Sequence, residues 1–158
     1  MTKKLLPQYS TKRLRVYSIP QTLAIKLVGV KFVGGGHGMV YKEIPDGEIW
    51  IAAELFKSLE GKYFLYHELY EHQKMAMGMS YNDAHLLANR VEGKARKCDE
   101  NMLEELIKRE MMKNKDVIHE RSHFNSSFSL HKGNEFHHAF HRIRDNNENG
   151  RKGLTMVR

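Results

Sequence analysis

Phe64-Leu65-Tyr66-His67-Glu68-Leu69-Tyr70-Glu71 is the stretch on which the reading of this chain turns. On an α-helix, a side chain four residues on returns to nearly the same face, about 40° away, with its Cβ about 5–6 Å distant. His67 and Glu71 can therefore point at one ion. Glu68 is offset by about 100°, where it can reach a water on that ion without ligating it. Three protein groups and one open position make the arrangement of a catalytic Zn²⁺ site. Such an ion lowers the pKa of its water to about 7, and a nearby carboxylate can take the proton. The third ligand expected is His85. The stretch Met77-Gly78-Met79-Ser80-Tyr81-Asn82-Asp83 is long enough to reverse the chain, and Ala84 and Ala88 are small enough to let a second helix approach the first.

Other polar residues compete for roles in this centre. Glu92 shares a helical face with His85. It could be a fourth ligand, could orient His85 or Arg90, or could pair on the surface with Arg96, four residues on. His72 lies five residues from His67, a poor pairing angle, but four from Glu68, which leaves Glu68/His72 as an alternative pair; otherwise His72 is expected to be exposed. HExxH zinc proteases place histidine at the second helix position, where this chain has Glu71. A literal His119-Glu120-Arg121-Ser122-His123 also exists, but Arg121 puts a charge at a position that should pack inward, and Asn125-Ser126-Ser127 cuts any helix short. His137 and His141 are four apart and, with the other tail histidines, could form a second, structural metal site. Gly34-Gly35-Gly36-His37-Gly38 lacks the GK[ST] ending of a phosphate loop. It reads as a hairpin turn, or more sharply as a cleft-lining loop that brings His37 near substrate. Tyr81, Tyr70 and His37 are the candidates to steady an oxyanion.

Outward from this stretch, the chain divides by pattern. Residues 1–10 read as a tail. Residues 11–51 are rich in β-formers: Leu14 to Ile19, Leu23 to Val33, Met39 to Tyr41 and Ile49 to Ile51, separated by turn signals at Pro20, Gly34–Gly38 and Pro45-Asp46-Gly47. They predict a small, mainly antiparallel sheet of three or four strands. Residues 52–60 suit a short helix. A long helix is expected from Gly61 or Lys62 to Met77, stopped by Gly78. A second begins near Asn82 or Asp83, with Ser80 as another cap candidate, and a third covers Asp99 to Met112. The fold class expected is α+β, with a metal-binding domain over 1–113 and a His-rich extension, partly ordered, over 114–158. That extension carries six of the ten histidines.

Bulk properties narrow the partners. The chain has 158 residues, 41% of them apolar, enough for one core; it contains no apolar run of membrane-spanning length. Cys98 is the only cysteine, so no internal disulfide can form. No apolar segment follows the basic start as a secretory signal requires. A cytoplasmic location, or a virion assembled in the cytoplasm, is the expectation. Net charge is +7, and no acidic residue precedes Glu43, whereas Lys3, Lys4, Lys12, Arg13, Arg15, Lys26, Lys31 and Lys42 are basic. This basic N-terminal third is either a solvated face or a surface for nucleic acid.

The segment His67 to Glu92 resembles the zincin-like metallopeptidase domains, in particular a group of uncharacterised microbial and phage proteins whose pattern is HExxE, a glycine, an aromatic residue and Ala-His. The matching residues are His67, Glu68, Glu71, Gly78, Tyr81, Ala84, His85, Ala88 and Glu92. The resemblance covers roughly 45 residues, from Asp46-Gly47-Glu48-Ile49 onward. It implies a sheet packed on the active-site helix, zinc at His67, Glu71 and His85, and Glu68 as base. The function expected is a zinc-dependent hydrolase acting on a peptide or protein substrate. The alternative is a catalytically idle zincin-like structural or interaction protein, such as a phage particle component or a nucleic-acid-associated protein, with assembly through the C-terminal extension.

Overall fold

The structure, a computed structural model, describes residues 2–115. All but the first two residues of the expected extension, and with them His119/His123 and His137/His141, lie outside the described residues. The described architecture is α+β. In chain order it runs β1 (Lys4–Leu5), a 3-10 turn (Pro7–Tyr9), β2 (Arg15–Ile19), α1 (Gln21–Val28), β3 (Gly35–His37), β4 (Glu48–Ala52), a 3-10 turn (Ala53–Lys57), α2 (Glu60–Ala76), α3 (Tyr81–Ala95) and α4 (Glu100–Asn114). No helix among these residues is long and apolar enough to cross a membrane.

The sheet order is β1-β2-β4-β3. Both outer pairings are antiparallel, but the central pair, β2 with β4, is parallel, with Val16 opposite Ile49 and Ser18 opposite Ile51. The sheet is therefore mixed. Every residue of β4 is buried, as a central strand covered on both faces requires. Its alternation sorts the two faces. Ile49 and Ile51 join Val16 against Leu65 and Leu69 of α2. Trp50 and Ala52 join Ile19 against Ala24, Val28, Phe32 and Ile44. Helix α2 packs on the sheet through one side and against α3 and α4 through others, so His67, Glu68 and Glu71 sit on a helix enclosed on several sides.

Helix caps fall where the side-chain chemistry allows them. Ser80 caps α3 by accepting from Asp83 N–H at 3.3 Å, and Asp99 caps α4 by accepting from Met102 N–H at 2.9 Å. Past the end of α2, Gly78 holds φ 91°, a left-handed conformation that glycine adopts freely.

Three readings of the N-terminal third are corrected. Leu23 to Val33 is not a strand; its first half is α1, which buries Ala24 and Val28, four apart, and ends at Gly29 with φ 102°. A short apolar run fits either period, and here Pro20 before it and Gly29 after it set helix ends. The glycine run is no hairpin turn but the edge strand β3, while Met39 to Tyr41 forms the turn, with Val40 and Tyr41 N–H both on His37 C=O. Residues 2–10 are not a tail: β1 pairs with β2, and Lys3 reaches Glu48.

At the far end, Asn114 closes α4 in full burial. Its amide donates to the carbonyls of Leu69 and Glu110 at 3.0 and 2.9 Å, and its Oδ1 accepts from His72 Nδ1 at 2.7 Å. Asn114→Ala removes all three bonds inside the core. The expected cost is about 2 kcal/mol, readable as a lower urea midpoint at unchanged m-value; a midpoint equal to wild type refutes this account of the α2–α4 seam.

Candidate metal centre

Helix α2 supplies His67, Glu68 and Glu71; α3 supplies His85 and Glu92; β3 supplies His37. The residues expected to share an ion are brought together. His67 Nε2 lies 3.2 Å from His85 Nδ1 and 3.4 Å from Glu71 Oε2, and His85 Nδ1 lies 2.6 Å from the same oxygen. Ligands bound to zinc at about 2.0–2.1 Å in a tetrahedron stand about 3.3 Å apart, so two of the three separations already match. His67 and Glu71 are buried, whereas the His85 side chain is 24% exposed, which leaves solvent access on that side.

The supporting partners fix which nitrogen faces the cluster. His67 Nδ1–H donates to Glu92 Oε2 at 2.9 Å, freeing Nε2 for Glu71 and His85. Glu92 Oε1 in turn accepts from Arg96 Nε at 2.8 Å, and Arg96 reaches on to both Glu60 oxygens, also at 2.8 Å. The ligand and the ion-pair expectations for Glu92 thus resolve into a third arrangement. It pairs with Arg96 and orients His67, not His85 or Arg90. The Tyr81 ring stacks on His85 with centroids 5.3 Å apart.

His37 was not singled out as a ligand from sequence, yet it is fully buried with Nε2 3.1 Å from Glu71 Oε1. Its Nδ1 has no hydrogen-bond partner among the described residues. A lone histidine between glycines carries no spacing signal; only the strand register places it here. Glu68 is also buried and joins His37 and Glu71 in a second group whose donor atoms lie within 4.8 Å of one another. Gly35 makes room for it: a Cβ there would stand 2.8 Å from Glu68 Oε1.

His72 is corrected from exposed to buried. Besides its bond to Asn114, it meets the His37 ring edge-on at 5.2 Å. The angle that takes it away from His67 takes it into the α2–α4 seam, because α2 has little free surface. Its Nδ1 bonds Asn114 Oδ1, in the α2–α4 seam. Among the oxyanion candidates, Tyr70 packs under Lys74, while Tyr81 feels the charges of Glu71 and Glu68. Tyr41, which the sequence reading did not single out, feels the same pair and donates its hydroxyl to Lys31 C=O at 3.1 Å. Burial, then those carboxylates, pushes both phenols up, so each stays protonated and able to donate.

Electrostatics separate the two helix carboxyls. Burial, then the neighbouring Glu71 charge, raises Glu68 to about 7. Burial would raise Glu71 as well, but hydrogen bonds from His37, His67 and His85 hold it far below the usual carboxylate range. For His67, burial favours the neutral ring, and the bonds to Glu71 and Glu92 outweigh it, lifting the imidazole to about 10 among the protein groups alone. One carboxyl is thus firmly ionised among imidazoles and the other is poised near neutrality, a division of roles that suits acid–base work.

No protein-family model, no curated protein and no solved structure matches the chain.

Proposed function

We propose that this protein is a zinc-dependent hydrolase of the metallopeptidase type. The observation that carries the reading is the convergence of His67 Nε2, Glu71 Oε2 and His85 Nδ1 within 3.4 Å of one another, from two helices, with an accessible side at His85. The donor set of two imidazoles and one carboxylate suits zinc. When bound, zinc supplies Lewis acidity, which lowers the pKa of water to about 7 and polarises a carbonyl.

The chain's own groups do the rest. Glu68 takes the proton from the attacking water and passes it to the leaving amine, the role of a buried carboxyl next to the ligands on the same helix. Glu92 keeps His67 in the tautomer that presents Nε2. Tyr81, which stacks on His85 and keeps its hydroxyl protonated, is the donor proposed to steady a developing oxyanion, whereas the Tyr41 hydroxyl is taken up by Lys31 C=O. Peptide or protein is the substrate class proposed, from the resemblance of the motif.

The direct test is zinc content of the purified chain against His67→Ala, with digestion of a broad peptide library alongside. About one ion lost with His67, together with cleavage by the wild type, supports the reading; equal zinc in both proteins ends it. Glu92→Ala, which removes the acceptor on His67 Nδ1 together with the Arg96 pair, is expected to weaken zinc by about 10–100-fold, measured by chelator competition.

The rival class, an idle scaffold in which the ion only joins α2 to α3, has one feature on its side: the ligands do link those two helices. In that case chelation unfolds the domain. Under the hydrolase reading the domain keeps its helical circular dichroism, because Ala84, Ala88 and Ala95 bury an apolar α3 face with no help from the ligands. A nucleic-acid role through the basic N-terminal third would show as salt-dependent retention on DNA; Lys3 and Arg15 are already engaged by Glu48.

A further inference from the structure

We propose that a second divalent cation binds at His37, Glu68 and Glu71, and that its binding switches the hydrolase off by occupying Glu68. The proposal rests on Glu68 being the base. Glu71 is the shared element. Its Oε2 faces His67 and His85, and its Oε1 faces His37 Nε2 at 3.1 Å. A carboxylate that presents its two oxygens to two separate donor groups has the form of a bridge between ions about 3.5–4 Å apart.

The second group is as complete as the first. His37 and Glu71 stand at a separation close to the about 3.3 Å expected between ligands of one zinc, and Glu68 has an oxygen within 4.8 Å of both. All three are buried. His37 is fully buried, and its Nε2, the atom that meets Glu71 Oε1, is the ring nitrogen turned to the group. Gly35 seats Glu68 directly against the β3 backbone, on the side of His37.

Charge orders the two events. Arg96, shared between Glu92 and the half-exposed Glu60, lies on the outer side of the cluster, and the buried pair Glu68 and Glu71 carries two negative charges, which one divalent ion matches. A second ion brings excess positive charge into a buried site and binds more weakly. Low zinc therefore fills His67, Glu71 and His85 and activates. Higher zinc fills the second position, and a Glu68 carboxylate that holds an ion cannot accept a proton.

The test is equilibrium dialysis of the full chain against graded zinc, with elemental analysis, for wild type, His37→Gln and His85→Ala. Ions held by the six histidines beyond residue 113 are common to all three and cancel in the differences. The expected result is one ion fewer in His37→Gln than in wild type at high zinc, with the first ion bound by both and its midpoint in His37→Gln moved to higher zinc, because His37 Nε2 also supports Glu71. Peptide cleavage by the wild type should rise and then fall with zinc, and the falling limb should be absent from His37→Gln. Equal content of wild type and His37→Gln at every zinc concentration, with His85→Ala lower by one, overturns the second site and leaves the hydrolase reading standing. His85→Ala equal to wild type sinks that reading instead. If His37→Gln does not fold, Glu68→Gln removes another ligand of the same position, and the missing high-zinc ion is read from that variant.

Discussion

Glu68→Gln should keep its activating zinc and lose turnover by about 10²–10⁴-fold, the range that general acid–base groups contribute. The substitution keeps the shape of the side chain and removes its ability to take a proton. Shape matters here because Gly35 leaves no slack: Glu68 Oε1 already lies where a Cβ on that residue would collide. The ion should stay, since His67, Glu71 and His85 form their own group without Glu68. Zinc content at limiting metal and peptide-library cleavage, measured on the same preparation, read the two halves separately. A variant that cleaves at the wild-type rate removes Glu68 from the mechanism, and one that loses the activating ion makes it a ligand.

His85→Ala should release zinc by more than the about 100-fold that bounds the loss of a supporting partner, because a ligand itself is deleted. Its Nδ1 is the atom on α3 that completes the group begun by His67 and Glu71 on α2. The ring is partly exposed and stacks on Tyr81, whereas the α2–α3 contact is held by buried Ala84 and Ala88. The helical circular dichroism should therefore be unchanged while cleavage is abolished. Retained zinc together with retained cleavage would separate His85 from the centre.

These outcomes depend on features that were unevenly legible in the sequence. The helices α2, α3 and α4 carry their own punctuation, in Gly78, Ser80 and Asp99, so their positions, and the shared face of His67 and Glu71 on α2, follow from local chemistry, and small Ala84 and Ala88 mark the face that brings His85 to them. Strands β2 and β4 are short runs of β-branched and aromatic residues and were equally plain. Leu23 to Val33 was not, because eight residues of helix and several of strand bury similar apolar patterns, and tertiary packing of Ala24 and Val28 decided between them. The parallel pairing of β2 with β4 depends on a crossover through α1 that no local signal announces. The burial of His72 and the contact of His37 with Glu71 escape the sequence for a shared reason. Both are set by which neighbours surround α2, and that is a property of the assembled fold rather than of any window of sequence.

The enclosure of α2 has an evolutionary corollary. A helix whose polar residues are stored in the interior leaves few of its positions neutral to change, so selection for catalysis and selection for folding act on the same side chains. Glu68 sits where the two conflict: a buried acid next to a second acid is a burden on the empty protein. Stripped of zinc, the Glu68→Gln variant should melt at a higher temperature than its parent, the trade between robustness and turnover that active sites commonly exhibit. Scanning calorimetry on the two metal-free proteins would display that trade directly.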